Sequence, residues 1–280
     1  MTEPSHPAVL SGASVWQKSE RLPVLFVGHG SPMNAIEDNE FRRSWQALGQ
    51  QFGTQWPKPR LILCISAHWL TSGWQVTGMD APRTIHDFGG FPQALFDQQY
   101  PARGSAGMAA EVSRTVIDPP VTLDQDWGLD HGAWSVLKPM FPQADIPVIQ
   151  LSMDYPQPAA RHFAIGRRLS VLRDQGVLIV GSGNIVHNLR AMRWGAPADQ
   201  AYEWAAEFDG KIAQALEQGD METVQGFQAL GNIAQLAHPT YDHYLPLLYA
   251  AGAAGAGELP RFFNTSYQGA SISMRSVIWG

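Results

Sequence analysis

With 45% of its 280 residues hydrophobic and 16% charged, the chain has the balance of a globular protein with a substantial core. A formal charge of −6 argues against a nucleic-acid partner, because phosphate binding calls for clustered Lys and Arg. A single cysteine, Cys64, excludes an intramolecular disulfide framework, and no stretch approaches the roughly 20 apolar residues of a membrane span.

Residues 1–20 lack a basic segment followed by an apolar one, so no secretory signal is expected and the cytoplasm is the default location. They read as a loosely ordered lead-in to one domain over residues 21–280. Residues 22–27 form an apolar run closed by Gly28, the mark of a buried strand. Residues 39–52 space Phe41, Trp45, Leu48 and Phe52 for an amphipathic helix. Residues 61–66 are a second buried strand and 74–79 a third. The Gly-, Pro- and aromatic-rich stretch 84–100 reads as a long loop with one helical turn, followed by a helix over 105–117 that Pro119 and Pro120 close.

A strand over 147–151 precedes a helix over 158–173, which buries Phe163, Ile165 and Leu169 and places Arg161, Arg167, Arg168 and Arg173 on a solvated face. A strand over 177–180 is expected to stop in a turn at Gly181-Ser182-Gly183. Helices follow over 201–216 and 221–230, with another beginning near Asp242, and residues 261–266 and 271–278 close the chain as paired strands. This alternation, without linker or repeat, predicts a single α/β domain: a central, mostly buried mixed sheet flanked by helices.

Placed on this map, three of the nine histidines follow apolar strands: His29, His68 and His187. Ligands in open α/β sheets bind outside the carboxyl ends of the strands, so parallel strands would bring these imidazoles to one edge. His238 and His243, in His-Pro-Thr-Tyr-Asp-His, add weight to a metal site over isolated structural histidines. His6 and His162 read as a lead-in residue and a helix-surface residue. There is no His-Glu-x-x-His and no cysteine pair for structural zinc, and clustered imidazoles do not suit an all-oxygen calcium or magnesium site.

Six runs in order carry a resemblance: Gly28-His29-Gly30-Ser31-Pro32, Ser66-Ala67-His68-Trp69, Ile85-His86-Asp87-Phe88-Gly89-Gly90-Phe91-Pro92, Asp130-His131-Gly132, Gly183-Asn184-Ile185-Val186-His187-Asn188 and His243-Tyr244-Leu245-Pro246-Leu247. From about residue 22 onward the chain resembles the class III extradiol ring-cleavage dioxygenases, in particular their single-subunit DOPA-dioxygenase-like group. The resemblance implies that His29 and His68 bind a metal. Many class III enzymes supply a late glutamate as third ligand; the matching segment here has His243, with Asp242 beside it. Iron(II) is then expected for activity, while three histidines equally suit zinc.

His187 matches the acid/base histidine, with a fourth-ligand role left open, and His131 resembles a second pocket histidine. The loop carrying His86, Phe88 and Phe91 is expected to contact the substrate and cover its ring. The implied function is an oxidoreductase that opens a DOPA-like or other substituted catechol with both atoms of O2. Such an enzyme would be a monomer or small homo-oligomer with no nucleic-acid or membrane partner.

Three rival readings compete with this one. A zinc hydrolase lacks an obvious carboxylate base; Glu37 and Asp38 are candidates but also read as a helix start. A non-catalytic binding protein of the same fold would not need His187 and His131 beside His29 and His68. A dinucleotide binder at Gly181-Ser182-Gly183 lacks the third glycine of that fingerprint.

Overall fold

The apolar runs at 22–27, 61–66 and 177–180 form the centre of one six-stranded sheet, whereas Trp74–Thr77, expected as a third buried strand, pairs with Val121–Asp124 in a separate two-stranded sheet. The structure is a computed structural model that describes residues 18–116 and 118–280. The sheet strands in chain order are β1 (Val24–Gly28), β2 (Leu61–Ser66), β3 (Val148–Gln150), β4 (Val177–Gly183), β5 (Arg261–Phe263) and β6 (Ser276–Trp279). Across the sheet they lie in the order β5-β6-β1-β4-β2-β3. β1, β4, β2 and β3 are parallel, and β6 runs antiparallel to both β1 and β5, so the sheet is mixed, as expected.

The main helices are α1 (Glu40–Gly49), α2 (Ala106–Thr115), α3 (His131–Met140), α4 (Ala159–Leu169), α5 (Glu203–Gln218) and α6 (Leu245–Ala253). They cover both faces, which is why the central strands are continuous apolar runs rather than alternating ones. Val24, Phe26, Leu63 and Ile179 pack toward Ile165 and Leu169 of α4, Phe208 of α5 and Leu248 of α6. The alternate residues Leu25, Val27, Ile62 and Val180 pack toward Trp45 of α1 and Trp134 and Leu137 of α3.

Several expectations are revised. β4 does not turn at Gly181 but continues to Gly183. The glycines are needed because α6 and the chain before it press on the strand. A Cβ at Gly181 would lie 2.4 Å from the Pro246 carbonyl oxygen, and one at Gly183 only 2.2 Å from that of His243. α3 was not anticipated: nearly every residue in it is buried, so it lacks the polar face that makes a helix legible. Arg173, expected in solvent, is fully buried. Its guanidinium meets Glu258 at 2.7 Å and donates to the Leu22 and Ala253 carbonyls, tying the entry of β1 to the end of α6. His162 is likewise buried, with Nδ1 2.8 Å from the Tyr249 hydroxyl.

The helix expected over 105–117 spans Ala106–Thr115, and residue 117 lies outside the described residues. Residues 1–17, with His6 and most of the expected lead-in, also lie outside them. The loop 84–100 does contain one helical turn, Gln93–Phe96. At its base Arg83–Thr84 pairs in parallel with Gly128–Leu129, which sets the loop beside the start of α3. Among the described residues, no helix is long and apolar enough to cross a membrane.

Candidate active site

Parallel pairing brings the site together. Gly28 of β1 is in register with Gly183 of β4, and Ser66 of β2 with Ser182, so His29 and His68 leave the sheet at one edge. The His29 amide donates to the Gly183 carbonyl at 3.0 Å. At the same strand end the Asn184 amide donates to the His243 carbonyl at 2.8 Å, seating the segment before α6 over β4.

One ligand nitrogen from each of His29, His68 and His243 lies within 4.8 Å of the others. The Nε2 atoms of His29 and His68 are 3.3 Å apart. A tetrahedral ion about 2.0–2.1 Å from each nitrogen would set them about 3.3 Å apart, so this spacing fits a shared ion. Two of the outer nitrogens are hydrogen-bonded. Ser182 Oγ donates to the Gly132 carbonyl at 2.5 Å, so at 3.1 Å from His29 Nδ1 it must accept that nitrogen's proton. His243 Nδ1 donates to Asp242 Oδ2 at 2.5 Å, and Asp87 Oδ2 lies 3.5 Å from His68 Nδ1. For His29 and His243 the partner draws the proton to Nδ1 and leaves an Nε2 lone pair facing inward, the usual outer support of metal-binding histidines.

Electrostatics agree. Burial, then the crowding of neighbouring imidazoles, holds His29 and His243 well below the usual histidine range. Burial and His131 take His68 down to about 3, against the opposing pull of Asp87. These rings are therefore neutral near pH 7, the state in which imidazole binds metal. The donor set, its tautomers and its spacing fit a resident cation.

His131 opens α3, whose N-cap is Asp130. This fully buried carboxylate accepts from Ser66 Oγ at 2.6 Å, Gln150 Nε2 at 2.7 Å and the Ala133 amide at 3.1 Å. Burial and the nearby Asp87 raise its pKa. Ser66 Oγ in turn accepts the His68 amide at 3.2 Å, so one buried anchor fixes both His68 and the start of α3. Gly132 allows this approach, since a Cβ there would lie 2.3 Å from Ser66 Oγ.

Asp87 is a site residue that sequence reasoning missed. Its Oδ2 lies 3.0 Å from His131 Nδ1, and its Oδ1 accepts the His131 amide at 2.9 Å. The available signal was a carboxylate within Ile85-His86-Asp87-Phe88, between two residues already singled out.

The His187 ring stacks on that of His243, with centroids 3.4 Å apart and 2° between planes. Nitrogen lone pairs lie in the ring plane, so parallel stacked rings cannot both aim at one ion. This orientation speaks against the fourth-ligand role left open for His187. Burial, then His238, brings His187 down to about 4. His238, counted toward a metal in the sequence, stands apart: its Nε2 meets the Ile185 carbonyl at 2.6 Å and its ring lies among Phe208, Phe227 and Tyr244.

The five clustered histidines floor a cavity of about 330 Å³ whose walls include Phe88, Phe91, Leu189, Met192, Trp194 and Ile272. Phe88 lies 5.4 Å from the His131 ring and 5.4 Å from Phe91. His86 does not line this cavity. It sits behind Phe88, 5.7 Å from it and 5.7 Å from Trp134, with Nε2 2.9 Å from the Gln98 carbonyl oxygen, so it supports Phe88 rather than facing a substrate. Glu37 and Asp38 are exposed and do not line the cavity.

A mixed α/β sheet with a histidine-floored cavity at the carboxyl edge of its parallel strands defines an α/β protein with a candidate metal centre. Residues 23–274 match the family described as the catalytic LigB subunit of aromatic ring-opening dioxygenase, and the chain belongs to that family. It is 48% identical over 262 residues to the 4,5-DOPA dioxygenase extradiol of Escherichia coli (strain K12), covering 92% of this chain and 95% of that one. It is 38% identical over 261 residues to the 4,5-DOPA dioxygenase extradiol of Beta vulgaris, covering 90% and 94%. The crystal structure of an uncharacterized protein from Escherichia coli K12 superposes with a TM-score of 0.79 at 40% identity, covering 93% of this chain and all of that one.

Proposed function

We propose that this chain is an extradiol dioxygenase that opens a catechol ring with O2 at a mononuclear non-haem centre held by His29, His68 and His243. The observation that carries this reading is the convergence of three imidazoles, two of them with the outer nitrogen hydrogen-bonded to an oxygen, beneath a cavity wide enough for one aromatic ring. Iron(II) is the ion expected for activity, with zinc accommodated by the same donors. When bound, such an ion supplies a Lewis acid that acidifies a phenol and a position for dioxygen.

The chain's own residues do the rest. His187 lines the cavity beside His243 and is neutral near pH 7, so its free nitrogen is available to accept the proton of a catechol hydroxyl and later return it. His131 Nδ1 lies 3.0 Å from Asp87 Oδ2, and with its proton on that side the ring would leave Nε2 to orient a substrate oxygen. Phe88 and Phe91 flank the ring and exclude water. Holding both reactants in one geometry contributes about 7–11 kcal/mol in well-oriented cases.

Anaerobic loading with iron(II), followed by oxygen uptake and visible spectra over a panel of catechols, tests the proposal. One O2 consumed per ring and a yellow ring-opened product are expected, with no turnover when either hydroxyl is methylated. Loaded protein that takes up no oxygen with any catechol, yet hydrolyses an ester anaerobically, would replace this reading with the zinc-hydrolase one.

A further inference from the structure

We infer that His131, Asp87 and the outer nitrogen of His68 form a second divalent-cation site, suited to zinc, beside the three-histidine centre and sharing His68 with it. The inference goes beyond the ring-opening reading: it rests on the donor atoms, and metal binding tests it whether or not a catechol is opened.

One donor atom from each of His68, Asp87 and His131 lies within 4.8 Å of the others. Asp87 Oδ2 reaches both rings, 3.0 Å from His131 Nδ1 and 3.5 Å from His68 Nδ1. Ligands about 2.1 Å from a common ion are about 3.0 Å apart at a right angle and about 3.4 Å apart at the tetrahedral angle, so both gaps suit one shared ion. His68 can serve two ions, because its Nε2 faces His29 at 3.3 Å while its Nδ1 faces Asp87.

His131 Nδ1 distinguishes this group from an ordinary histidine–carboxylate pair. The nitrogen is buried and, among the described residues, has no aligned hydrogen-bond partner, although Asp87 Oδ2 is close enough to be one. The oxygen therefore lies off the axis along which the nitrogen donates or coordinates. Two ligands of one ion are offset in this way, by about 35–45°, because the ion and not the other ligand occupies the axis. A hydrogen-bonded pair would place the oxygen near that axis. Asp87 Oδ1 accepts the His131 amide at 2.9 Å, which fixes the carboxylate in place. All three residues line the cavity, so an ion from solvent can reach them.

With one ion on His68 Nε2 and a second on Nδ1, the ring bridges them as an imidazolate, and its Nδ1 proton passes to solvent. His131 keeps its proton by carrying it on Nε2, which turns an acceptor toward the cavity into a donor. Zinc in excess would thereby remove His131 from the role assigned to it above.

The test is a zinc titration of the metal-free protein by calorimetry, with metal analysis after equilibrium dialysis. About two zinc ions per chain are expected, the second bound roughly tenfold or more weakly because it meets the charge of the first and displaces a proton. Asp87→Asn and His131→Phe should each keep the first ion and lose the second. Copper(II) gives an independent reading on the parent protein. Two copper ions bridged by an imidazolate couple magnetically, so their paramagnetic resonance signal should fall well below that of two isolated ions. A single zinc ion per chain in the parent, a second ion retained by both variants, or two copper ions with the full uncoupled signal overturns the second site. Each of these results leaves the ring-opening reading intact, since that reading is judged by oxygen uptake with catechols on protein carrying one ion.

Discussion

Replacing Asp87 with Asn isolates one atom's contribution to the site. The amide keeps the shape of the side chain, and its oxygen can still accept the His131 amide that Oδ1 now takes at 2.9 Å. Its nitrogen, however, replaces the oxygen 3.0 Å from His131 Nδ1, so donor would face donor. His131 must then move its proton to Nε2, which turns an acceptor into a donor toward the cavity. Burial alone would raise the Asp87 carboxyl, but hydrogen bonding from His131 holds it below its usual value, so the native group is a carboxylate near pH 7.

Losing a charge-assisted hydrogen bond costs about 1.5–3 kcal/mol in general. With the side chain 19% exposed, solvent should soften this to the low end, about 1.5 kcal/mol or roughly tenfold in kcat. Metal content should hardly change, because His68 Nδ1 is 3.5 Å from Asp87 and His68 keeps Nε2 free. The assay is kcat and KM of the iron-loaded variant beside metal analysis. Unchanged kcat would refute the role in orienting His131, and loss of metal would show that Asp87 serves His68 instead.

The His187→Ala variant should lose roughly 10²–10⁴ in turnover, the scale of a general acid/base, while metal analysis finds near-normal content; stoichiometric metal loss would make His187 a ligand after all. In Gly183→Ala the new Cβ would press on the His243 carbonyl from 2.2 Å, and metal affinity measured by chelator competition should fall roughly 10–100-fold, as when a ligand's support is disturbed; native affinity would mean that this segment yields freely. Buried His162 and His238 are each brought by burial to about 4, below the unfolded value of about 6.5, so both favour the folded state fully above pH 6.5 and lose that contribution as pH falls toward 4. Denaturant titrations of the metal-free protein should therefore show stability falling between pH 6.5 and 4, by on the order of 3 kcal/mol per residue at most; a His162→Gln variant with the same slope as the parent would exclude that residue.

Local pattern carries a good part of this protein. Continuous apolar runs without alternation announce strands covered on both faces, and β1, β2 and β4 lie where those runs do. Because His29 and His68 directly follow two such strands, parallel pairing alone delivers them to one edge. Phe88 and Phe91, which line the cavity, lie in a stretch whose glycines and aromatics already mark it as a loop.

Other features depend on contacts between residues far apart in the chain, and periodicity holds no trace of those. Asp87 reaches His131 across 44 positions, and Ser182 reaches Gly132 across 50, so the tautomers of the site exist only in three dimensions. The seat of His243 depends on the absence of a Cβ at Gly183, in a segment that local propensity reads as a turn until a helix is laid across it. Arg173 and His162 occupy helical spacings that suit solvent, yet both are buried because the β1 entry, Glu258 and Tyr249 arrive from elsewhere to satisfy their polar atoms. Sequence pattern records which side of an element is apolar; what packs against the other side is decided when distant segments meet.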